Sequence, residues 1–391
     1  MNARAARLDE VCEINPRMPK GLAEHDVISF LPMAAVSEDG HIDFEEERQI
    51  KEVKKGYTYF ERGDVLVAKI TPCFENGKAT RTSSLAKPIG FGSTEFHVLR
   101  AGAEVDSSYL FHMVWNSKFR DVGANNMTGS AGQKRVPADF LKRLEIPLPP
   151  LDEQRRIAAI LDKADALRRK IKRALDLLDI LTQSIFIKIF GDPVSNPKGW
   201  KGVQLGDLIH KASDGPHVSP TYSASGVPFL STRHILKGVI LWEDLKFVDQ
   251  EQAEFHWKKC KPKRGDILYT KGGTTGLAAA VNTDEPFAIW VHLALLKLDH
   301  DKVDPIWLES MLNSDYCYQQ SQRYTHGIAN RDLGLKRMVK IRMFLPPMQE
   351  QQRFAEAISV ASQIKLRLVE QALKEESLFA SLQHRAFSGQ L

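Results

Sequence analysis

Two stretches of this chain begin with the same device and stand 197 residues apart. One reads "IPLPPLDEQRRIAAILDKADALRRKIKRAL" (146–175), the other "MFLPPMQEQQRFAEAISVASQIKLRLVEQAL" (343–373). At that one offset Leu148-Pro149-Pro150 matches Leu345-Pro346-Pro347, Glu153-Gln154 matches Glu350-Gln351, Arg156 matches Arg353 and Phe190 matches Phe387. Upstream, "ERGDVLVAK" (61–69) echoes "KRGDILYTK" (263–271) at an offset of 202, and "RLDEVCEI" (7–14) faintly echoes "QLGDLIHK" (204–211). A repeat this long makes the chain a duplicated unit, ordered globular, helical, globular, helical. The likeness is strong in the helices and weak in the globular parts. Partners that touch the helices would meet the same surface twice, whereas the bodies are free to do different things.

The first helix is expected over 152–189. Its prolines forbid extension backwards, Asp152 and Glu153 suit the positive end of the dipole, and Gly191-Asp192-Pro193 stops it. With Ile157 at a, the a positions are Ile157, Ala164, Ile171, Leu178 and Ile185, and the d positions Ile160, Leu167, Ala174 and Leu181. All are apolar, which reads as a coiled-coil seam. The offset puts Phe354, Ala361, Leu368, Glu375 and Leu382 at a in the second helix, with Ala357, Ile364, Gln371 and Leu378 at d. Two equivalent units meeting through one shared element do so most simply about a twofold axis, so the helices are expected to pack antiparallel.

The bodies hold short apolar runs (64–70, 96–99, 266–270, 291–298) between Gly, Pro and Asn clusters, with helical patches at 109–121 and 305–322. The expected fold class is α+β: two mixed α/β domains joined by two long helices in an antiparallel coiled coil, a pseudo-twofold internal duplication. The expected boundaries are 1–148, 149–191, 192–345 and 346–391.

Composition narrows the function. A 391-residue chain with 43% hydrophobic and 26% charged residues is ordinary globular protein of two or three domains. It contains no apolar run long enough for a membrane span, and the N-terminus lacks the apolar core of an export signal, so a cytoplasmic location is expected. Cys12, Cys73, Cys260 and Cys317 are scattered, as suits reduced thiols. A net charge of +5 permits an anionic partner without demanding one. The nearest thing to a phosphate loop, "KGGTTG" (271–276), has no Lys after its last Gly and reads as a glycine turn after a strand. Neither a metal-ligand spacing nor a methyltransferase tetrapeptide is found, and "NPKG" (196–199) reads as a turn. The chain is expected to be non-catalytic.

Three basic stretches point elsewhere: "WKKCKPKR" (257–264), "GSAGQKRVP" (129–137) and "HGIANRDLGLKRMVKIR" (326–342). Lys, Arg, Gln and Asn on loops are the groups that pair with phosphates and base edges. The last two stretches lie just before each long helix, at matching places in both halves.

With these features the chain resembles, over nearly its whole length, the DNA-specificity subunit of type I restriction–modification systems. "IPLPPLDEQRRIAAILDKADAL" (146–167) is similar to that family's first helical signature, and "GDVLVAKITPCFENGKA" (63–79) and "STEFHVLR" (93–100) to its recognition-domain strands. The second half lacks a "TPCFENGK" run, which implies a different half-site. The resemblance implies two target-recognition domains reading a split double-stranded DNA sequence. Two adenine-methyltransferase subunits would dock along the helices, with two ATP-driven translocase/nuclease subunits completing the complex. S-adenosylmethionine, ATP and Mg would be bound by those partners and no cofactor by this chain. The residues expected near DNA are Lys69, Asn76, Lys78, Gln133, Lys134 and Arg135 in the first half, and Lys271, Thr274, Thr275, Asn330, Arg331 and Lys336 in the second. Two other readings stay open: a specificity subunit serving a methyltransferase alone, and a coiled-coil scaffold whose end domains bind proteins.

Overall fold

The Arg-Gly-Asp echoes sit where two buried strands begin. In the computed structural model, which describes residues 4–130, 132–327 and 331–391, Gly63 and Gly265 turn the chain at positive φ (103° and 88°) into strands Val65–Ala68 and Ile267–Thr270. The Asp of each echo accepts a backbone N–H three residues back, from Glu61 to Asp64 at 2.7 Å and from Lys263 to Asp266 at 2.6 Å. Both carboxylates are buried, and a cation on the neighbouring strand neutralises each. Arg100 grips Asp64 through two bonds of 2.9 and 2.8 Å, and Lys297 reaches Asp266 at 2.5 Å. A buried carboxylate left unpaired is costly, so acid and base come as a set.

Each of these strands lies inside a four-stranded antiparallel sheet of the same order. The first runs Cys12–Ile14, Phe96–Ala101, Val65–Ala68, Ala79–Arg81; the second runs Ile209–Asp214, Leu293–Leu298, Ile267–Thr270, Ala278–Ala280. The central strands are mostly apolar and buried because both faces are covered, the exceptions including His97, Arg100 and Lys297. A further sheet in each body carries one parallel pair, Val27–Leu31 with Ile89–Gly92 and Val227–Leu230 with Ala288–Ile289. A two-stranded ribbon then delivers the chain to each Leu-Pro-Pro: Arg4–Arg7 with Glu145–Leu148, and Lys201–Gln204 with Arg342–Leu345. The bodies are thus duplicated in topology where their sequences have drifted apart. The helical patches are each broken in two by a cap. Asn116 accepts the Phe119 N–H and separates Ser107–Trp115 from Ser117–Asn125, and Ser314 does the same for Pro305–Leu312 and Asp315–Tyr324.

The long helices run Leu151–Phe190 and Met348–Phe387, 40 residues each. The chain divides into two compact units, 1–170 with 372–391 and 171–371, so the division falls inside both helices and each unit holds one body. Within each unit the two helix segments run antiparallel. In the second, Asp179 meets Lys365 at 2.6 Å and Phe190 meets Phe354, so eleven residues forward on one helix is eleven back on the other. In the first, Arg168 pairs with Glu376 at 2.6 Å, and Arg156 reaches the Leu391 carbonyl.

The seam differs from the heptad expectation. Leu167, Leu181, Ile364 and Leu378, all assigned to d, are 39%, 47%, 44% and 48% exposed. The a positions Ile157, Ile171, Phe354 and Ala361 are buried, but the rest of the buried stripe is Ala158, Leu161, Phe186 and Phe190 on one helix and Ile358, Val369, Phe379 and Ala386 on the other. The reason is that the helices pack against the bodies as well as each other. Ile157, Leu161 and Phe379 share a core with Tyr109 and Trp115, and Phe186, Phe190 and Phe354 share one with Trp307 and Phe344. Covering two neighbours rotates the buried face away from a pure a/d stripe.

The Gln of the repeated motif explains how body and helix are joined. Gln154 is fully buried; its Oε1 accepts the Asp106 N–H at 2.8 Å, and its Nε2 donates to the carbonyls of Glu104 (2.9 Å) and Pro149 (2.8 Å). Gln351 repeats this with the Asp304 N–H (2.8 Å) and the carbonyls of Lys302 (3.1 Å) and Pro346 (2.9 Å). Asp106 and Asp304 in turn cap the next helix of each body. One amide side chain therefore satisfies three backbone groups at the junction, one of them, the Pro149 or Pro346 carbonyl, in a fully buried bond.

Candidate nucleic-acid interface

In each unit a loop that leaves the four-stranded sheet is laced by backbone hydrogen bonds to a second loop, which follows helix Ser117–Asn125 in the first unit and Asp315–Tyr324 in the second. In the first unit the loop after strand Val65–Ala68 meets the loop before Val136. Thr71 N donates to Lys134 O (3.0 Å), Val136 N to Lys69 O (2.9 Å), and Lys69 N to Glu95 O (2.9 Å). In the second, Gly273 N donates to Arg331 O (3.0 Å), Leu333 N to Lys271 O (2.7 Å), and Lys271 N to His292 O (2.9 Å). The lacing brings Lys69, Gln133, Lys134 and Arg135 together in one unit and Lys271, Thr274 and Arg331 in the other. Asn330 lies outside the described residues.

The side chains are then used differently. Gln133 and Lys134 are exposed. Arg135 is held bidentately by Glu95, both bonds 2.9 Å, so its charge is already matched; those bonds hold the Glu95 carboxyl below its usual range. His97 lies beneath them, buried, with Nε2 2.8 Å from Val136 O; burial lowers its pKa, so it sits neutral under the loop. Asn76 and Lys78 lie at the far end of the first loop, where Asn76 donates to Glu38 (2.7 Å) and Lys78 to Met33 O (3.3 Å). That end is pinned by Phe74, packed on Phe119, and by Gly77 at φ 83°, where a Cβ would come within 2.5 Å of Arg120.

In the second unit Lys271 is buried between Asp214 (3.3 Å) and Asp332 (3.1 Å). Burial opposes the Asp214 charge, but Lys259 and Lys271 outweigh it and keep the carboxyl below its usual range. Thr275 is turned inward to Gln322 and Thr325, and the Gln322 amide oxygen accepts from Arg331. Thr274 and Lys336 are exposed. The basic run 257–264 is largely paired off: Lys259 with Asp214, Arg264 with Asp284, and Lys261 over the Trp257 ring. The "KGGTTG" turn is a glycine turn after a strand, with Gly273 and Gly276 at φ 69° and 95°. Among the described residues no group of acidic, His or Cys side chains is placed to hold a metal ion, and no helix is long and apolar enough to cross a membrane.

The halves, aligned at 197, put Arg135 opposite Asp332 and Glu95 opposite His292. The sequence reading singled out the bases and missed these acids, although the same offset that reveals the repeat also pairs them.

A family model for the type I restriction modification DNA specificity domain matches residues 4–177 and again 197–376. The chain belongs to that family. It is 42% identical over 185 residues to the type I restriction enzyme EcoAI specificity subunit of Escherichia coli, and 40% identical over 185 residues to the EcoEI specificity subunit of the same species. Each match covers 46% of this chain and 31% of the relative, so the matched region spans about a third of those relatives' length. The solved type I restriction–modification system S subunit from M. genitalium shares the fold, with a TM-score of 0.59 at 14% identity over 99% of this chain and 96% of that one.

Proposed function

We propose that this chain is the DNA-reading subunit of a type I restriction–modification complex, each unit reading one half of a split double-stranded target. The observation that carries the reading is the same backbone lacing of two loops in both units with different side chains projecting from it. A frame repeated twice with its projecting groups changed is what reading two unlike half-sites requires. The repeated helices, by contrast, offer two equivalent seats, which suits two copies of a methyltransferase subunit; two translocase/nuclease subunits would complete the assembly. Chemistry belongs to those partners. They would bind S-adenosylmethionine, ATP and Mg, while this chain holds no cofactor and carries no catalytic group, working in the cytoplasm. Lys134, Gln133 and Lys69 in the first unit, and Thr274, Arg331 and Lys336 in the second, are the groups that would approach DNA. Asn330 is offered with them on sequence alone.

The test is the adenine-methylation motif written by the reconstituted complex. Loop changes in one unit should alter or relax only that half of the motif, since each good base contact contributes about 1–3 kcal/mol of discrimination. Changes in one unit that altered both halves, or duplex binding that failed to weaken with salt, would overturn the reading.

A further inference from the structure

The units differ sharply where the capped helix of the body meets the long helices. In the first unit Phe111 and Trp115 stack at 5.3 Å, and Trp115 packs on Phe379 at 5.7 Å, filling the space. Counted from the equivalent helix caps Asp106 and Asp304, 198 residues apart, Phe111 and Trp115 become Glu309 and Asn313, and at the 197-residue offset of the long helices Phe379 corresponds to Thr182. The second unit accordingly holds a cleft there of about 150 Å³, lined by all three. That is room for roughly five waters, at about 30 Å³ each.

The lining decides what the cleft suits. Its floor includes Phe186 and Ile358, and its charged groups are Asp179, Glu309 and Asp315 against Lys237 and Lys365, one acid in excess. Lys365 is already committed, 2.6 Å from Asp179 and 2.7 Å from the Lys237 carbonyl. Glu309 uses one oxygen to accept the Ala280 N–H at 2.7 Å. Its other oxygen faces Gly238, where a Cβ would stand 3.0 Å away, and makes no hydrogen bond among the described residues. A site with a surplus carboxylate, an open acceptor and an apolar floor favours a compact positive group. An anion would meet the surplus acid, because the nearest ammonium is already spent.

We propose that this cleft binds a single organic cation, a guanidinium or primary ammonium group, with Glu309 as its acceptor. The site lies away from the laced loops and draws on none of their residues, so it stands whether or not those loops read DNA. Burial pushes the Glu309 pKa up to about 7. The charged groups around it are Lys365 and Asp179 from the long helices, Lys237 from the turn joining the paired strands Ile235–Leu236 and Val239–Ile240, Asp304 from its own helix cap and Asp315 from the next helix. A bound cation favours the ionised acid, so affinity falls as the pH drops below 7.

Calorimetric titration of the full chain with agmatine tests this. Binding is expected at pH 8 and should weaken roughly tenfold by pH 6, where about a tenth of an acid with this pKa is ionised. Glu309→Gln keeps the acceptor for the Ala280 N–H, yet should weaken binding about 10–100-fold and remove the pH dependence. Ser362→Leu fills the cleft from an exposed helix position that also lines it, and should block binding with Glu309 intact. Repeating the titration on the assembled methyltransferase complex separates the sources: exclusion of agmatine assigns the cation to a partner's side chain, and continued binding assigns it to a free amine. No heat from the wild-type chain at pH 8 with millimolar agmatine, or binding that both variants leave unchanged, overturns the proposal.

Discussion

Where body meets helix, the two units are built from the same atoms. Gln154 and Gln351 are both buried and both satisfy one N–H and two carbonyls. At the base of the loops they are built from different ones. The first unit ties Arg135 to Glu95, and the second sinks Lys271 between Asp214 and Asp332. Backbone groups are the same in any sequence, so a staple that serves them can be copied unchanged. A charge network has only to balance within itself, so it is free to be rewritten as the surface above it changes.

The staples should give the largest effects. Gln154→Leu and Gln351→Leu each remove the partner of one buried and two partly buried backbone groups, at about 1–3 kcal/mol for the buried carbonyl and less for the others, so each should destabilise its own unit by about 3 kcal/mol. Urea unfolding followed by probes placed in each unit would measure this. Equal losses would confirm that the junctions are equivalent, and a loss confined to one would break the comparison.

Next come the equivalent lysines. Lys271→Met leaves Asp214 and Asp332 facing each other and should cost about 2–3 kcal/mol, somewhat below the usual figure for a broken buried pair because Asp332 is half exposed. Lys69→Met, at the matching position, should cost no more than about 0.5 kcal/mol yet weaken duplex binding. Thermal melts and anisotropy on the same two proteins would separate a structural lysine from a surface one.

Acid and base should act on the units in opposite directions. Burial works against the Asp162 charge in the first unit, but hydrogen bonds from His112 (2.8 Å) and Arg81 outweigh it and hold the pKa at about 2. Asp162 therefore contributes stability above its unfolded pKa that is lost as the pH falls from about 4 towards 2. Glu309 in the second unit is raised to about 7, so its folded form keeps a proton that the unfolded chain gives up. Stability there should decline as the pH rises from about 4 to 7. The pH profiles of Asp162→Asn and Glu309→Gln should each flatten in their own window, and flattening in the other's window would refute the assignment.

Lys134→Ala and Lys336→Ala should have the smallest effect on folding, within about 0.5 kcal/mol, while each lowers the salt slope of duplex binding by about one. A fourfold change of both with Gln133 and Arg331 that left affinity untouched would detach the loops from DNA altogether.

Much of this was legible along the chain because its signals are local. Pro149, Pro150 and Gly191 bound the first long helix, a 197-residue offset exposes the duplication, and an apolar run with a turn at each end marks a strand such as Ile267–Thr270. Those follow from backbone sterics and periodicity, which neighbouring residues set. Only the tertiary structure decided which stripe of each long helix is covered, because the bodies compete with the partner helix for it. It also decided which of the basic residues remain available. Arg135 is neutralised by Glu95, forty residues away, and Lys271 by Asp214 and Asp332, fifty-seven residues before it and sixty-one after. A charge on a chain is a property of one residue, whereas its availability depends on whatever the fold sets within about 4 Å of it.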